Sequence, residues 1–539
     1  MVALLALAAV SLPPPAFADD AQPIEYRFSF PEAAQHSMDV DVTFPDLPAA
    51  PLQLRFSRSS PGRYSLHDFA ASVDRMTVTT DDGQVLSAAH PRPNEWNLTA
   101  HPAVVRVHYR VSGNKIDGTY AAIDATHAHL NMPAVVLWAV GLEHRAVRIR
   151  LAPHSDGPAW QAATQLFPTD DPMLFTAPNL QYLMDSPIEI GRIVWRTFAA
   201  EGPAGASRTP PTIRIALHHT GTDAEADAFA DGARRLVEEA RRVFGEFPAF
   251  EHNTYTFVAD YLPSAANDGM EHRNSSVLTS SATLAAARPT LLDTLVHEFF
   301  HCWNVERIRP RSLEPFDFER TNVSGELWFA EGITSYYDGL LMTRAGLWTL
   351  DDLLRDLGAA VSKVATSPAT KTRSAEEMSR LAPEVDSASG SAAAATSTAY
   401  ISYYTFGAAL GLGFDFAIRE RTHGRASLDD VMRALWREFG RPGGHEAGYV
   451  DCPYTIADLR RVLAQVTGDA KLADALIGRY VEGHHVMDYQ RLVRSAGLVV
   501  RQRPSERRSE GPALEIVTLE AIGRAPSKAQ LSFRNLWLR

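Results

Sequence analysis

At 539 residues the chain is too long for one ordinary hydrophobic core, so two or three domains are expected. Its composition is that of a globular protein, with 45% hydrophobic and 22% charged residues. The formal net charge of -12 argues against nucleic-acid binding, which normally needs a basic face. Two cysteines, Cys302 and Cys452, exclude a disulfide framework, and a single bridge between them stays open outside the cytosol.

The N-terminus has the features of an export signal. Residues 2–12 form an apolar stretch that ends in prolines and then in Ala16-Phe17-Ala18, a small-x-small cleavage signature. The stretch is too short to span a bilayer, and no later segment reaches the roughly 18 apolar residues of a membrane helix. We therefore expect a signal peptide at 1–18, a periplasmic or secreted protein, and a mature chain without an integral membrane segment.

Residues 23–215 have the pattern of a β-rich domain. Segments such as 37–43 and 104–111 alternate polar and apolar residues or carry β-branched and aromatic ones. Turn clusters rich in Pro, Gly, Asn and Asp separate these segments. An antiparallel β domain, either a sandwich or a saddle-like sheet, is the expected architecture.

The pattern then becomes helical. Residues 224–244 show helical periodicity, and Pro248 follows as a stop signal. A strand predicted at 254–259 leads into a mostly helical region, so a second domain is expected at 216–485, with a short β-like remnant at 486–539. The sequence thus predicts a multidomain α+β protein.

A metal-binding face is predicted on the apolar helix that contains the sequence H-E-F-F-H. His297 and His301 are four residues apart, so both imidazoles leave the same face of the helix. This spacing lets two ring nitrogens reach one ion at about 2.0–2.1 Å. Glu298, a step round the helix, can act as general base on water at that ion. We therefore predict zinc, one ion per chain, on a helix capped by Thr290.

The alternative for the same residues is a pair of core histidines beside an exposed glutamate. Two titratable rings and a carboxylate in an apolar helix are unfavourable unless something organises them. The metal site is therefore the better interpretation.

A third ligand is predicted on the helical stretch that carries Glu326 and Glu331. Cys302 projects away from the histidine face and cannot serve. Glu331 lies in the middle of a helical stripe, one turn from Leu327, whereas Glu326 lies near the start, where the helix dipole alone favours an acid. Glu331 is therefore predicted as the ligand, and Glu326 as a cap or a neighbour of the site.

Together these motifs resemble a known family. H-E-x-x-H followed by a W-x-x-E-G helix is similar to the gluzincin aminopeptidases, and further segments resemble their glycyl aminopeptidase family. Those segments are P-G-R-Y at 61–64 with D-F-A at 68–70, G-M-E-H at 269–272, S-A-E-E-M-S at 374–379 and S-Y-Y-T-F-G at 402–407. The resemblance covers about residues 23 to 500. It implies an N-terminal β domain, a thermolysin-like catalytic domain and a C-terminal PDZ domain.

The resemblance also implies an activity and roles for residues. It implies an aminopeptidase that acts on peptides with a free N-terminus and favours small first residues such as Gly or Ala. Tyr404 is implied as the hydroxyl that stabilises the oxyanion, with Tyr403 as its rival. Glu271 is implied as the acceptor of the substrate α-amine, with Gly269 and Met270 beside it in the substrate site.

Three features depart from the family pattern. Asp268 stands where the family prefers glycine, and Phe406 replaces a lysine. The segment at 486–539 is too short for a complete PDZ domain, so only an incomplete, PDZ-like segment is expected. Two other functions stay open: a zinc endopeptidase in which Glu271 is only structural, and an inactive, zinc-stabilised binding protein. The sequence does not predict the oligomeric state.

Overall fold

The computed structural model describes residues 21–153, 160–201, 209–386, 399–503 and 513–539. The predicted signal peptide at 1–18 lies outside these residues. In the described ranges, the helices are too short or too polar to traverse a lipid bilayer.

The N-terminal part consists mainly of β-strands. In chain order they are β1 (Ile24–Ser29), β2 (Ser37–Phe44), β3 (Leu52–Phe56), β4 (Val73–Thr80), β5 (Ala89–Arg92), β6 (Glu95–Leu98), β7 (Val105–Ser112), β8 (Ala121–Ile123), β9 (His127–Leu130), β10 (Leu137–Ala139), β11 (Val147–Ala152), β12 (Gln161–Thr164), β13 (Phe167–Pro168), β14 (Leu174–Ala177) and β15 (Ile188–Gly191). Two short helices, α1 (Met132–Val135) and α2 (Leu180–Met184), interrupt them.

These strands form three sheets among the described residues. Their spatial orders are β13-β14-β11-β1-β2-β7-β4, β10-β3-β6-β5 and β12-β15-β9-β8. Neighbouring strands run antiparallel, apart from the parallel pair β1–β11. Val40, Val42 and Phe44 alternate along β2 and are fully buried, which is the period-two pattern of a half-buried strand. The predicted antiparallel β domain is confirmed.

The second part begins with a sheet of its own. Its strands are β16 (Val194–Ala199), β17 (Thr212–His219), β18 (Thr254–Tyr261), β19 (Asp268–His272) and β20 (Ser275–Ser280), in the order β16-β17-β18-β20-β19. The central pairs β17–β18 and β18–β20 are parallel, and β19 is an antiparallel edge strand. The sheet starts at Val194, earlier than the boundary predicted at 216, because strand patterns alone do not tell which sheet a strand joins.

Helices surround this sheet and build the core of the second part. They are α3 (Asp223–Phe244), α4 (Leu284–Phe300), α5 (Leu327–Ala330), α6 (Gly332–Arg344), α7 (Leu350–Thr366), α8 (Ala375–Arg380), α9 (Ala382–Asp386), α10 (Tyr403–Thr422), α11 (Leu428–Leu435), α12 (Ile456–Thr467), α13 (Ala470–Tyr480) and α14 (Tyr489–Leu492). The expected α+β class is therefore confirmed.

The helix α4 begins earlier than the sequence predicts. Thr283 is its N-cap, and the Thr283 side chain accepts a hydrogen bond from the backbone N–H of Ala286. The predicted cap at Thr290 is wrong, because the helix continues across Pro289. A kink at Ala287 (φ −132°, ψ 20°) accommodates the proline, which has no N–H to donate.

The C-terminal segment packs on the helices of the second part. Its elements are the antiparallel pair β21 (Leu498–Arg503) and β22 (Ala513–Thr518), followed by α15 (Lys528–Trp537). The Trp537 ring is fully buried, and its Nε1 donates a hydrogen bond of 2.8 Å to Tyr336 Oη. Tyr336 in turn donates to Asp415 Oδ2 at 2.8 Å. The last helix therefore belongs to the hydrophobic core of the second part.

This packing makes a stability prediction. Trp537→Ala removes a large buried ring and leaves Tyr336 without its donor, so a loss of about 3–5 kcal/mol is expected. Leu536→Ala is the matched control, because the neighbouring Leu536 is 42% exposed, and it should change stability by much less, about 0.5 kcal/mol. Thermal unfolding followed by circular dichroism measures both. Equal unfolding temperatures for the two variants would mean that the segment is not part of the core.

Candidate active site

Two helices bring three of the predicted residues together. His297 and His301 lie at the end of α4, and Glu331 precedes α6. Nε2 of His297 is 3.6 Å from Glu331 Oε2, and Nε2 of His301 is 3.3 Å from the same oxygen. His301 Nε2 is buried and has no hydrogen-bond partner among the described residues. The three side chains thus present two nitrogens and an oxygen to one common point.

Both imidazoles are held by their other nitrogen. Nδ1 of His297 lies 2.8 Å from Asp338 Oδ2, and Nδ1 of His301 lies 2.5 Å from the backbone oxygen of Asn304. Because these oxygens accept a hydrogen bond from Nδ1, each Nε2 keeps its lone pair for the common point. Sequence reasoning missed both partners, although Asp338 follows Glu331 by two helical turns and so lies on the same face.

The surrounding charges make this point attractive to cations. Burial disfavours a charged imidazole, yet the neighbouring Glu331 carboxylate raises the pKa of His301 to about 9. Burial raises the pKa of Glu298 to about 8. The same negative surroundings that favour a proton on His301 also favour a metal cation at the common point. A bound metal would replace the proton on this ring.

Glu331 and Glu326 occupy different places. Tyr64 Oη donates a hydrogen bond of 2.5 Å to Glu331 Oε1, which leaves Oε2 facing the imidazoles. Glu326 instead precedes α5, and its Oε2 accepts hydrogen bonds from the hydroxyls of Ser312 and Ser324. The structure therefore brings Glu331, and not Glu326, to the two histidines. Tyr64 lies in the P-G-R-Y segment, but nothing in that motif predicted this contact.

Glu298 lies against the edge strand β19. The side chain is buried, and its Oε2 has no hydrogen-bond partner among the described residues. A Cβ atom on Gly269 would overlap the Glu298 carboxylate. Glycine at 269 therefore lets the strand backbone approach the predicted base closely.

Two further residues of β19 face different surroundings. The buried carboxylate of Glu271 offers an oxygen within 4.8 Å of ligand atoms of Glu298 and His301. The Met270 side chain is fully buried in a hydrophobic cluster with Val258 and Val277. The Met270 sulfur also lies beside Gly62 and the Glu271 carboxylate, and a place for Met270 beside the substrate stays a prediction.

The aromatic pair at the start of α10 divides between two roles. The Tyr404 ring lies 5.9 Å from the His297 ring, and burial raises the pKa of Tyr404 well above its usual value. Tyr403 instead donates a hydrogen bond of 3.0 Å to Asp386 Oδ2 and packs edge-on against Tyr64. Of the two tyrosines, Tyr404 is thus the one whose ring contacts a histidine of the site, whereas the Tyr403 hydroxyl is already engaged by Asp386.

A close helix crossing sets the position of Tyr404. A Cβ atom on Gly407 of α10 would overlap the backbone of Trp328 and Gly332, so the helices meet at backbone distance. Gly332 directly follows Glu331, and Gly407 lies three residues after Tyr404. The crossing therefore brings Tyr404 close to Glu331. Phe406, which replaces the family's lysine, is buried in the hydrophobic core.

Loops of the N-terminal domain complete the site. Asp268 forms an ion pair with Arg63 and accepts a hydrogen bond of 2.9 Å from the backbone N–H of Gly118. This carboxylate therefore fastens the start of β19 to the β domain. A cleft opens beside Glu271, and it is lined by Pro61, Gly62, Tyr64, Gln181, Asp185, Glu271, Val305, Glu306, Arg309, Leu313, Phe316 and Gly448.

Comparison with known protein families matches two parts of the chain. Residues 25–192 match the Peptidase M61 N-terminal domain, and residues 290–410 match the M61 glycyl aminopeptidase domain. The chain belongs to the M61 peptidase family. It is a metallopeptidase, and the second match contains the two histidines, Glu298, Glu331 and Tyr404.

Solved structures with similar folds are aminopeptidases and zinc metallopeptidases. An aminopeptidase N family protein from Idiomarina loihiensis is 22% identical, with a TM-score of 0.75 over 94% of this chain and 82% of that chain. An M1 zinc metallopeptidase from Deinococcus radiodurans is 16% identical, with a TM-score of 0.49 over 87% of this chain and 95% of that chain. The first likeness shows the fold of the M61 chain. No protein with a curated description matches the sequence.

The two glutamates make a metal-binding prediction. Glu331→Gln should weaken metal binding by at least about a hundredfold, because the loss even of a group that orients a ligand weakens binding ten- to a hundredfold. Glu326→Gln is the matched control and should bind metal as the parent does, since Glu326 is engaged by two serines. Metal content after dialysis against buffered zinc measures both variants. The reverse order of affinities would exchange the two assignments.

Proposed function

We propose that this M61 peptidase is a zinc-dependent aminopeptidase that hydrolyses the N-terminal bond of peptides and favours small first residues such as Gly or Ala. The observation that carries the proposal is the closeness of Glu271 to Glu298 and His301, whose ligand atoms lie within 4.8 Å of one another. A carboxylate at this distance can hold the substrate ammonium while the first peptide carbonyl faces the base.

The donor set of His297, His301 and Glu331 suits one zinc ion. Two imidazole nitrogens and one carboxylate oxygen are a known catalytic set, which leaves a fourth position open. The unpartnered Nε2 of His301 supports this fit. When bound, zinc supplies a water acidified to near neutral pH and a Lewis acid for the carbonyl oxygen.

Two side chains and one strand edge then carry the reaction. Glu298 accepts a proton from the attacking water and delivers it to the leaving amine. The Tyr404 hydroxyl, kept neutral by burial, donates a hydrogen bond to the oxyanion that forms on the carbonyl oxygen. The free edge of β19 offers backbone groups of Gly269 and Met270 for pairing with an extended peptide.

The position of Glu271 favours an exopeptidase over an endopeptidase. In an extended residue the amine nitrogen and the carbonyl carbon are about 2.5 Å apart, so an ammonium at Glu271 leaves room for a single residue before the scissile bond. Pro61 and Gly62 line the cleft at Glu271, so a longer N-terminal extension would have to pass this segment.

Several further observations support the finer parts of the proposal. The description of the matched family as glycyl aminopeptidases supports small first residues. The cleft is also narrowed by the bulky side chains of Tyr64 and Phe316 and by the Glu306–Arg309 ion pair, which favours small first residues as well. The presence of both a base and an oxyanion donor argues against an inactive binding protein. The signal-like residues 1–18 support an exported enzyme.

The role of Glu271 is tested by substrate selectivity. Loss of a buried charge pair is worth about 2–5 kcal/mol, which is roughly thirty- to several-thousandfold at about 1.4 kcal/mol per decade. Glu271→Gln should therefore lower kcat/KM for alanine p-nitroanilide by that factor and leave the metal content unchanged. The N-acetylated anilide has no ammonium, so it should be a poor substrate for the parent and no worse for the variant.

Asp268→Asn is the matched control. Its carboxylate already pairs with Arg63, so selectivity for the free amine should persist in this variant. Loss of selectivity in Asp268→Asn alone would move the amine site to Asp268. Unchanged selectivity in both variants would contradict the aminopeptidase proposal.

A further inference from the structure

A second group of metal-ligating side chains lies where the two domains meet. Ligand atoms of His127, Glu189, His218 and Asp260 all lie within 4.8 Å of one another. His127 and Glu189 belong to β9 and β15 of the N-terminal domain, whereas His218 and Asp260 belong to β17 and β18 of the catalytic sheet. None of these residues takes part in the proposed reaction.

Strand register builds the group from both sheets. His218 and Asp260 are direct partners in the parallel pair β17–β18. Glu189 is the direct partner of His129 in the antiparallel pair β9–β15. Residues that are partners on neighbouring strands lie on the same face of a sheet, so the two sheets present these side chains to each other.

The polar atoms of the group are buried and unsatisfied. His127, Glu189 and Asp260 are each 1% exposed. Nε2 of His127, Oε1 of Glu189 and both carboxylate oxygens of Asp260 have no hydrogen-bond partner among the described residues. Four such atoms in one place are strongly unfavourable unless a further group satisfies them.

Neighbouring side chains aim these atoms at one point. Asp124 Oδ1 lies 3.2 Å from Nδ1 of His127, which leaves Nε2 of that ring free. Nδ1 of His129 makes a hydrogen bond of 3.1 Å with Glu189 Oε2, which leaves Oε1 of that carboxylate free, and it lies at ion-pair distance, 3.4 Å, from Asp260 Oδ2. Such outer contacts are typical of residues that orient metal ligands.

The inner atoms have the spacing of a coordination shell. Nδ1 of His218 is 3.8 Å from Glu189 Oε1 and 3.6 Å from Asp260 Oδ1. Ligand atoms bound tetrahedrally at 2.0–2.1 Å from one zinc ion are roughly 3.4 Å apart. The rings of His127 and His218 stand nearly perpendicular, with centroids 4.2 Å apart.

We propose that His127, Glu189, His218 and Asp260 bind a second divalent metal ion, with zinc the best match to two imidazoles and two carboxylates. Four protein ligands close the coordination shell, which is the pattern of a structural rather than a catalytic site. The ion crosslinks the N-terminal sheet to the catalytic sheet. The M61 chain then carries two metal ions, of which the sequence predicted only the catalytic one.

This crosslink is connected by hydrogen bonds to the β-domain loops at the active site. The strand β9 leads directly to Asn131, whose Nδ2 donates hydrogen bonds to Ser60 Oγ and to the backbone oxygen of Thr119. Thr119 Oγ1 in turn accepts a hydrogen bond of 2.7 Å from Arg63, the partner of Asp268. The second ion would thus hold the β-domain loops against β19.

Metal counting on five proteins tests the proposal. By inductively coupled plasma mass spectrometry after zinc loading, the parent should contain two ions per chain. The double variant His297→Ala/His301→Ala should keep one ion, and His218→Ala should also keep one. The triple variant, which combines these three substitutions, should keep none. His219→Ala is the matched control, because its side chain lies outside the group, and it should keep two. A metal content in His218→Ala equal to that of the parent would overturn the proposal.

A second measurement does not depend on counting. In the double variant, added zinc should raise the unfolding temperature, and X-ray absorption at the zinc edge should show only nitrogen and oxygen ligands with imidazole features. In the triple variant, zinc should not change the unfolding temperature. The His218 side chain is 18% exposed, so its removal is compatible with folding. An equal zinc response in both variants would show that the buried group holds protons rather than a metal.

Discussion

The active site depends on the compensation of buried negative charge. Glu271, Glu298 and Glu331 are each more than nine-tenths buried, and all three lie around the ring of His301. Like charges at such distances repel one another strongly when water is excluded, so the arrangement needs cations. In the proposed function, zinc at the histidines would supply one of them, and the ammonium of a peptide N-terminus would supply another. Metal binding, substrate binding and the basicity of Glu298 would then share one electrostatic cause.

The N-terminal domain contributes side chains that hold residues of this site in place. Tyr64 holds one oxygen of Glu331, and Arg63 holds Asp268 at the start of the strand that carries Glu271. These contacts join residues that are about 200 or more positions apart in the chain. A change in the position of the β domain would therefore alter both Glu331, the proposed metal ligand, and β19, the proposed substrate-binding strand. A metal ion between the two sheets would fix the position of the β domain.

Local spacing determined how much the sequence could predict. The i, i+4 spacing of His297 and His301 and the stripe position of Glu331 are properties of single helices, so their grouping could be predicted, as could the α+β class. Asp338 shares a helix face with Glu331, so its spacing was a signal that sequence reasoning missed. Tyr64 and the His127 group depend on which strands and helices pack together, and no local pattern encodes that. The same reason explains the early start of the catalytic sheet at Val194.

Glu298 is the proposed base of this metallopeptidase, and its isosteric amide variant tests that role. Glu298→Gln keeps the size of the side chain and both zinc-binding histidines but cannot accept a proton. The measurement is kcat/KM for alanine p-nitroanilide together with metal content. If Glu298 is the base, the metal content should be unchanged and kcat/KM should fall by at least about a hundredfold. Hydrolysis at the parent rate by the metal-loaded variant would contradict it.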